Sequence, residues 1–257
     1  MRVNLYLDRG TALYRLHPLV KLAILCGTFA AIFGLDAPLP VAPIALLLAA
    51  MLAVADAGPN VRRFAPMFAA VPLATFTIWS IFYGYGRTGV VVPTLDSMTF
   101  AAGMALKLEC FFAASVLFLS ITRVEEFTEA LRTLGMPHRM AFTIALAFRL
   151  VPLFLTSALS VVAAQGARGL DHTRGNVLQR LGRYMPVIVP VFMGALRRAD
   201  SMAIALETRG FSRATERSRY MRSRFRRTDL VAAIVIAVIV GGYAWAWSHG
   251  YGRLPRR

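Results

Sequence analysis

The stretch Leu230–Trp247, LVAAIVIAVIVGGYAWAW, carries no charged side chain and decides how the rest of the chain is interpreted. A run of about 18 apolar residues without charge is typical of a helix that crosses a bilayer. Four arginines precede it, namely Arg222, Arg224, Arg226 and Arg227. Because the cytoplasmic loops of membrane proteins collect Lys and Arg, this helix is predicted to run from the cytoplasm outward.

Four more apolar runs lie upstream, and they predict four earlier spans. They are Leu22–Leu35, Val41–Ala55, Phe64–Tyr83 and Met98–Ile121. The first two are somewhat short for the ~20 residues that a span needs, and together they indicate a helical hairpin whose turn lies outside. The first run is preceded by Arg2, Arg9, Arg15 and Lys21, so the N-terminus is predicted to be cytoplasmic. The C-terminal tail is predicted to lie outside, although Arg253, Arg256 and Arg257 there depart from the charge rule.

The composition of the whole chain agrees with a membrane protein. Of its 257 residues, 57% are apolar and 16% charged, whereas soluble domains have about 45–50% apolar and about 25% charged residues. The net charge of +16 raises the possibility of a nucleic-acid binder. Such proteins expose basic residues on a soluble domain, whereas the arginines here lie between apolar runs, so we expect no nucleic-acid partner. Two cysteines exclude a disulfide-stapled scaffold and a multi-cysteine metal site.

Basic residues are concentrated in the segment Arg123–Arg227, which holds 18 of the 29 Lys and Arg residues and 7 acidic ones. This segment is therefore predicted to be cytoplasmic. The sequence divides into a four-span membrane region over 1–122, a basic region of long cytoplasmic helices over 123–227, and a final span with a short tail over 228–257. The predicted fold class is an all-α polytopic membrane protein with about five transmembrane helices.

Two apolar stretches inside the basic region are ambiguous. Met140–Ala164 is long enough to span a bilayer, but Arg149 near its middle costs about 2.5–3.5 kcal/mol there, so an interfacial or partner-facing helix fits better and a span stays open. Tyr184–Leu196 is too short for a span, because charged residues interrupt it from Arg197 onward. Because proline starts or kinks a helix, long helices are predicted to start or kink at Pro152, Pro186 and Pro190.

The two stretches end on the same pattern, Ala167-Arg168-Gly169 in the first and Thr208-Arg209-Gly210 in the second. As a structural feature, the glycine supplies a left-handed cap and the arginine complements the carbonyl end of the helix dipole. The repetition favours a second interpretation. A guanidinium fixed at a helix tip suits bidentate capture of a carboxylate on another protein, so the pair would form a two-point docking surface.

Several segments, in this order and spacing, make the chain resemble the transmembrane T component of energy-coupling factor transporters, a prokaryotic branch of the ABC transporters. The segments are Tyr14–Leu22, Glu125–Leu131, Leu134–Pro137, Phe148–Pro152, Ala167–Gly169 and Ala195–Phe211. The resemblance implies a non-catalytic subunit in the cell (inner) membrane. Such a subunit joins two cytoplasmic ABC ATPases to a small membrane component that binds the substrate, which is a vitamin or a cobalt or nickel ion.

Carried over to this sequence, the resemblance assigns the ATPase contacts to Ala167, Arg168 and Gly169 and to Thr208, Arg209 and Gly210. Threonine at 208 replaces the alanine usual in the family, which puts the packing around the second contact in doubt. The sequence contains no Gly-x-x-x-x-Gly-Lys-Ser/Thr loop. ATP is therefore expected to be bound by the partner subunits, and no cofactor, metal or catalytic residue is expected in this chain.

Other residues and functions compete with this interpretation. Lys107 and Glu109 lie inside the fourth span, where a relay role competes with an interhelical partner or a snorkelling lysine. Arg149 has Glu126 and Glu129 as candidate partners. A membrane-embedded enzyme would need acid clusters or paired histidines on one membrane face, which the sequence lacks. A self-contained secondary transporter would show an internal repeat of spans, against which the five-span layout argues.

Overall fold

The computed structural model describes residues 11–35, 37–88, 94–169, 177–211 and 226–249, and these ranges contain helices and no strand. After a short 3-10 turn, Ala12–Arg15, the helices are α1 Pro18–Phe33, α2 Pro38–Val54, α3 Gly58–Thr88, α4 Leu95–Ile121, α5 Val124–Thr133, α6 His138–Ala167, α7 Val177–Thr208 and α8 Arg227–Ser248. Within these ranges α3, α4, α6 and α8 are long and apolar enough to cross a membrane, while α1 and α2 are shorter apolar helices. The predicted all-α polytopic membrane fold is confirmed.

Local sequence explains where several helices begin and end. Proline occupies the first helical position of α1 and α2, where its missing N–H costs nothing. The side chain of His17 caps α1 by accepting a hydrogen bond from the Leu19 N–H at 3.2 Å. Between α5 and α6, Gly135 takes a φ of +99°, a left-handed conformation that glycine adopts without steric cost.

The described residues fall into two compact units. The first contains those of Met1–Met136 and Ser223–Arg257, and the second those of Pro137–Arg222. The three predicted regions differ in their side of the membrane, whereas these units are defined by packing, so the predicted division at 122 and 228 stays a prediction. In this packing α5 and α8 belong to the same unit as α1 to α4, and both pack against α1.

The core of the first unit lies between α1, α2 and α4. Its most deeply buried apolar side chains are Ile32, Leu35, Val41, Leu48, Leu117 and Ile121. Helix α3 packs along α4, with the ring of Phe68 4.7 Å from that of Phe112 between centroids. Helix α8 packs on α1, where a Cβ atom added at Gly27 would lie 2.8 Å from Ile236 Cγ2.

One end of the first unit gathers the starts of α1, α3 and α8 and the ends of α2 and α4. The Tyr14 hydroxyl donates to the carbonyl of Ala55, just after α2, at 3.2 Å. The Asn60 amide, at the start of α3, donates to Ser120 Oγ, near the end of α4, at 2.8 Å. The helices therefore alternate in direction, as a chain that crosses a bilayer repeatedly must.

The second unit consists of α6 and α7, which pack on each other. Of the helix starts or kinks predicted at the prolines, the starts are wrong, because α6 continues through Pro152 and α7 through Pro186 and Pro190. The predicted kinks stay a prediction. Helix α7 also continues through Arg197 and ends at Thr208, which agrees with the predicted end of the second stretch. Helix α6 has the length and composition of a span, and no residue in its most apolar window is buried inside the chain.

Candidate functional site

The first arginine-glycine motif forms the C-terminal end of α6. The helix ends at Ala167, and the Arg168 N–H still bonds to the carbonyl of Gln165 at 3.1 Å. Gly169 follows with a φ of +86°, and its N–H bonds to the Gly166 carbonyl at 2.9 Å. A residue with a Cβ atom is strained in this left-handed conformation, so the glycine fixes where the helix ends.

The second motif repeats this geometry at the end of α7. The helix ends at Thr208, and Gly210 has a φ of +72° with its N–H bonded to the Glu207 carbonyl at 2.9 Å. The Phe211 N–H bonds to the Leu206 carbonyl at 2.9 Å. Both glycines thus provide the left-handed cap that the sequence predicted, and each holds an arginine at the tip of a helix of 30 or more residues.

Both arginines are exposed. Within the described part of the chain, neither the Arg168 nor the Arg209 guanidinium has a hydrogen-bond or ion-pair partner. Ala167, Gly169 and Thr208 are exposed beside them. The backbone at each tip is fixed by the cap, while the five N–H donors of the side chain remain available to an acceptor on another molecule.

Thr208, the residue that departs from the family pattern, bonds within its own helix. Its Oγ1 donates to the carbonyl of Ala205 at 3.0 Å, and the side chain is exposed. Replacing Thr208 by alanine would therefore remove no tertiary hydrogen bond to a described residue.

An aromatic cluster joins the end of α7 to the start of α6. The Phe211 ring lies 4.5 Å from that of Phe142 and 6.0 Å from that of His138, between centroids. Sequence reasoning missed this cluster, because its members are separated by about 70 residues and nothing in the local pattern pairs them. It holds the second arginine tip against the first turns of α6.

A hydrogen bond near the first arginine tip also joins the two helices. Gln165 Nε2, three residues before Arg168, donates to the carbonyl of Pro186 in α7 at 3.2 Å. In a regular helix that carbonyl would accept from residue 190, but Pro190 has no N–H. Gln165 therefore donates to a carbonyl that Pro190 leaves without its usual helical donor. Pro190 is the sequence feature from which this contact could have been predicted.

The charged residues of α4 and α6 have different environments. The Lys107 ammonium donates to the Phe33 carbonyl at the end of α1 at 2.7 Å, so it has the interhelical partner weighed from the sequence. Glu109 Oε2 is buried without a hydrogen-bond partner among the described residues. Arg149 is exposed, and Glu126, one of its candidate partners, is instead paired with Lys21.

Comparison with known proteins gives a consistent result. A family model described as "Cobalt transport protein" (CbiQ) matches residues 10–221, which include both arginine-glycine motifs. The chain is 28% identical over 243 residues to the energy-coupling factor transporter transmembrane protein EcfT of Limosilactobacillus fermentum, covering 89% of this chain and 91% of the relative. It is 26% identical over 254 residues to the EcfT protein of Thermosediminibacter oceani, covering 93% and 95%. With the EcfT protein of Streptococcus thermophilus it shares 25% over 251 residues, covering 92% and 95%.

Proposed function

Because this chain belongs to the cobalt transport protein (CbiQ) family and is the transmembrane component of an energy-coupling factor transporter, we propose that it couples two cytoplasmic ATPases to a separate substrate-binding membrane protein. In this role the chain is a non-catalytic scaffold, and ATP is bound by the ATPases. It lies in the cell (inner) membrane, with its N-terminus in the cytoplasm and its C-terminus outside.

The observation that carries this proposal is the pair of exposed arginines at capped helix ends. Arg168 and Arg209 each project from the tip of a long helix, and neither has a partner among the described residues. Each guanidinium would bind a carboxylate in a groove of one ATPase, with Ala167 and Gly169, or Thr208 and Gly210, allowing close approach of the backbone. Two similar tips match two ATPase subunits.

The contacts between α6 and α7 support transmission of motion from the ATPases. The Gln165 hydrogen bond and the Phe142–Phe211 ring contact join the two helices near the two tips. Movement of either tip, driven by ATP binding, would therefore displace both helices. The exposed apolar surface of α6 is suited to contact a membrane partner, because such surfaces mark interaction sites.

The substrate is assigned to the partner rather than to this chain. The family description names cobalt, and the EcfT relatives are named without a substrate. We therefore propose uptake of a vitamin or of a cobalt or nickel ion, with the choice made by the substrate-binding component.

Affinity purification of the tagged full-length chain from its native membranes in mild detergent tests the proposal. We expect the wild-type chain to retain ABC-type ATPases and a small, very hydrophobic membrane protein, identified by mass spectrometry. The double variant Arg168→Ala, Arg209→Ala should lose the ATPases by at least about tenfold, since truncating one partner of a buried charge pair costs about 2–5 kcal/mol.

A matched control removes two other exposed arginines from the same helices. The variant Arg149→Ala, Arg197→Ala changes the net charge equally but leaves both tips intact, so its ATPase yield should equal that of the wild type. Full ATPase recovery with the tip variant would reject the docking assignment. Recovery of the wild-type chain alone would instead favour a self-contained transporter or enzyme.

A further inference from the structure

An apolar groove lies on the first unit between α2 and α8, and α1 contributes to its floor. Its volume is about 230 Å³. The floor is buried, since Ile24, Ala31 and Leu48 are each less than 10% exposed. At the rim, Leu47 of α2 is 42% exposed and Val235 of α8 is 48% exposed. The groove is therefore open at the surface that these helices present to the bilayer.

The lining of the groove is suited to a hydrocarbon chain. Among the described residues that line it, the only polar side chain is that of Thr28. Its hydroxyl donates to the Ile24 carbonyl of its own helix at 2.7 Å. A polar ligand would give up its hydrogen bonds to water in such a groove without replacing them, whereas a hydrocarbon chain would lose none.

The groove has the depth of one leaflet. From Leu230, where the uncharged run of α8 begins, to Val240, the last residue of α8 that lines the groove, the helix rises about 15 Å. The hydrocarbon core of a bilayer is ~30 Å thick, so this length equals about half of it. Beyond Val240, the Tyr243 hydroxyl donates to the Pro40 carbonyl at 2.9 Å and joins α8 to α2.

Three exposed arginines lie at the end of the groove that is beside the start of α8. Arg15 stands between two residues that line the groove, and Arg226 and Arg227 begin α8. The backbone N–H groups of His17 and Arg226 donate to the two oxygens of Asp229, at 2.8 and 2.7 Å. Because one carboxylate contacts both segments, Arg15 and the two arginines of α8 belong to the same end of the unit.

The arginines remain available, whereas the neighbouring buried charges are already paired. Within the described ranges, none of the three guanidinium groups has a hydrogen-bond or ion-pair partner. Asp229 is 1% exposed. Lys21 is also 1% exposed, and its ammonium donates to the carbonyls of Tyr14 and Ile121 at 2.9 and 2.8 Å and to Glu126 Oε2 at 2.7 Å. These acceptors use all three of its N–H donors, so Lys21 has none left for a ligand.

We propose that the groove binds an acyl chain of an anionic phospholipid, whose phosphate and headgroup are bound by Arg15, Arg226 and Arg227. A guanidinium binds phosphate oxygens through two parallel hydrogen bonds, and basic pockets between transmembrane helices bind anionic headgroups. The acyl chain would fill the space between α2 and α8 that is bounded by the Tyr243–Pro40 contact. The site lies wholly within the first unit and is independent of the proposed coupling function.

Native mass spectrometry of the full-length chain in detergent tests this binding. Phosphatidylglycerol and phosphatidylcholine with the same acyl chains are added at equal concentration. We expect one bound phosphatidylglycerol per chain, at least about fivefold more abundant than bound phosphatidylcholine, because only phosphatidylglycerol carries a net negative charge.

Two arginine pairs test the headgroup contact. The variant Arg15→Gln, Arg226→Gln should lower the amount of bound phosphatidylglycerol by at least about tenfold. The control Arg62→Gln, Arg63→Gln removes the same charge from two exposed arginines near the start of α3, at the same end of the first unit. Its binding should equal that of the wild type.

Two tryptophan variants of α8 test the acyl-chain contact. Val235→Trp places an indole in the groove and should remove most of the bound phosphatidylglycerol. The matched control Val238→Trp lies outside the groove at a residue that is 68% exposed, and it should bind as the wild type does.

Four results would overturn the proposal. Wild-type chain without bound lipid would assign the groove to protein, either the first ten residues of the chain or a partner helix. Equal binding of both lipids would show that the arginines do not select the headgroup. Equal losses in the two arginine pairs would indicate general attraction to the charge of this end. Binding that is unchanged in Val235→Trp would place the lipid outside the groove.

Discussion

Thr208, at the second arginine tip, is a single residue that departs from the family pattern. Its hydroxyl bonds to the Ala205 carbonyl of its own helix and the side chain is exposed. We expect Thr208→Ala to change the free energy of unfolding by less than about 0.5 kcal/mol, and to leave ATPase recovery at the wild-type level. Thermal unfolding in detergent and affinity purification measure the two quantities. A severe loss of ATPase would show that the hydroxyl binds a partner.

For single residues, local sequence predicted the caps at the helix tips, but it did not predict contacts between side chains that are distant in the chain. Gly169 and Gly210 cap their helices as predicted, because the cap is decided by a few consecutive residues. The charge pattern places Lys21 in the basic flank of the first span, yet it lies within α1 and is buried. Its environment depends on Ile121 and Glu126, about 100 residues away, and sequence pattern gives no access to such pairing.

Among the helices, the contact of α8 with α1 depends on a small residue. A Cβ atom at Gly27 would lie 2.8 Å from Ile236 Cγ2 and 3.2 Å from Val240 Cγ2. Both are methyl groups of β-branched side chains with few alternative rotamers. We therefore expect Gly27→Ala to lower the free energy of unfolding by about 1–3 kcal/mol through overpacking, measured by thermal unfolding in detergent. The control Gly242→Ala meets no atom within 4 Å, and an equal loss there would contradict the packing explanation.

The link between α6 and α7 makes a prediction in the form of a double-mutant cycle. Gln165→Met keeps the side-chain volume but leaves the Pro186 carbonyl without its donor, which costs about 0.5–1.5 kcal/mol. Pro190→Ala restores an N–H that bonds to the same carbonyl within α7. We expect Gln165→Met to cost less in the Pro190→Ala background, by thermal unfolding of the four proteins. Strictly additive effects would mean that the two residues do not share this acceptor.

Element positions were predicted well, whereas the effect of the prolines was predicted only in part. Helix starts or kinks are predicted at the prolines of α6 and α7, and no helix starts there, because α7 includes Pro186 and Pro190 in one helix. A proline removes one backbone N–H donor from a helix. Gln165 replaces the donor that Pro190 lacks, because its side chain donates to the Pro186 carbonyl. Arg197 lies exposed, so its charge interrupts the apolar run without interrupting the backbone.

At the scale of the whole molecule, the alternating helix directions predict which faces are accessible. Helix α8 starts near the start of α1, to which α5 is also joined through Lys21 and Glu126, and its 22 residues extend about 33 Å. In a background with Cys26→Ala and Cys110→Ala, a membrane-impermeant maleimide added to intact cells should label Ser248→Cys and not Glu125→Cys. Both positions are exposed. Labelling of Glu125→Cys alone would reverse the predicted sidedness, and labelling of both would contradict the alternation.

The sequence predicted the apolar helices but not how they group. Charge and hydropathy are local quantities, and they separated 123–227 from its flanks as one basic region. The packing groups α5 with α1 through Lys21 and Glu126, and α8 with α1 through His17 and Asp229. The last pair is separated by 212 residues, so no window along the chain contains both partners.

The division of the first unit between two distant chain segments has a consequence for its synthesis. A ribosome delivers α1 to α7 before α8, so the nascent chain holds the His17 N–H and the packing face of α1 without their partners until α8 has been translated. Contacts of such high sequence separation form slowly, and the incomplete state exposes surface to misassembly. A premature stop before codon 227 therefore would not yield a functional core that lacks only a tail. It would yield an incomplete first unit that lacks α8, and membrane quality control would recognise this unit as a folding intermediate.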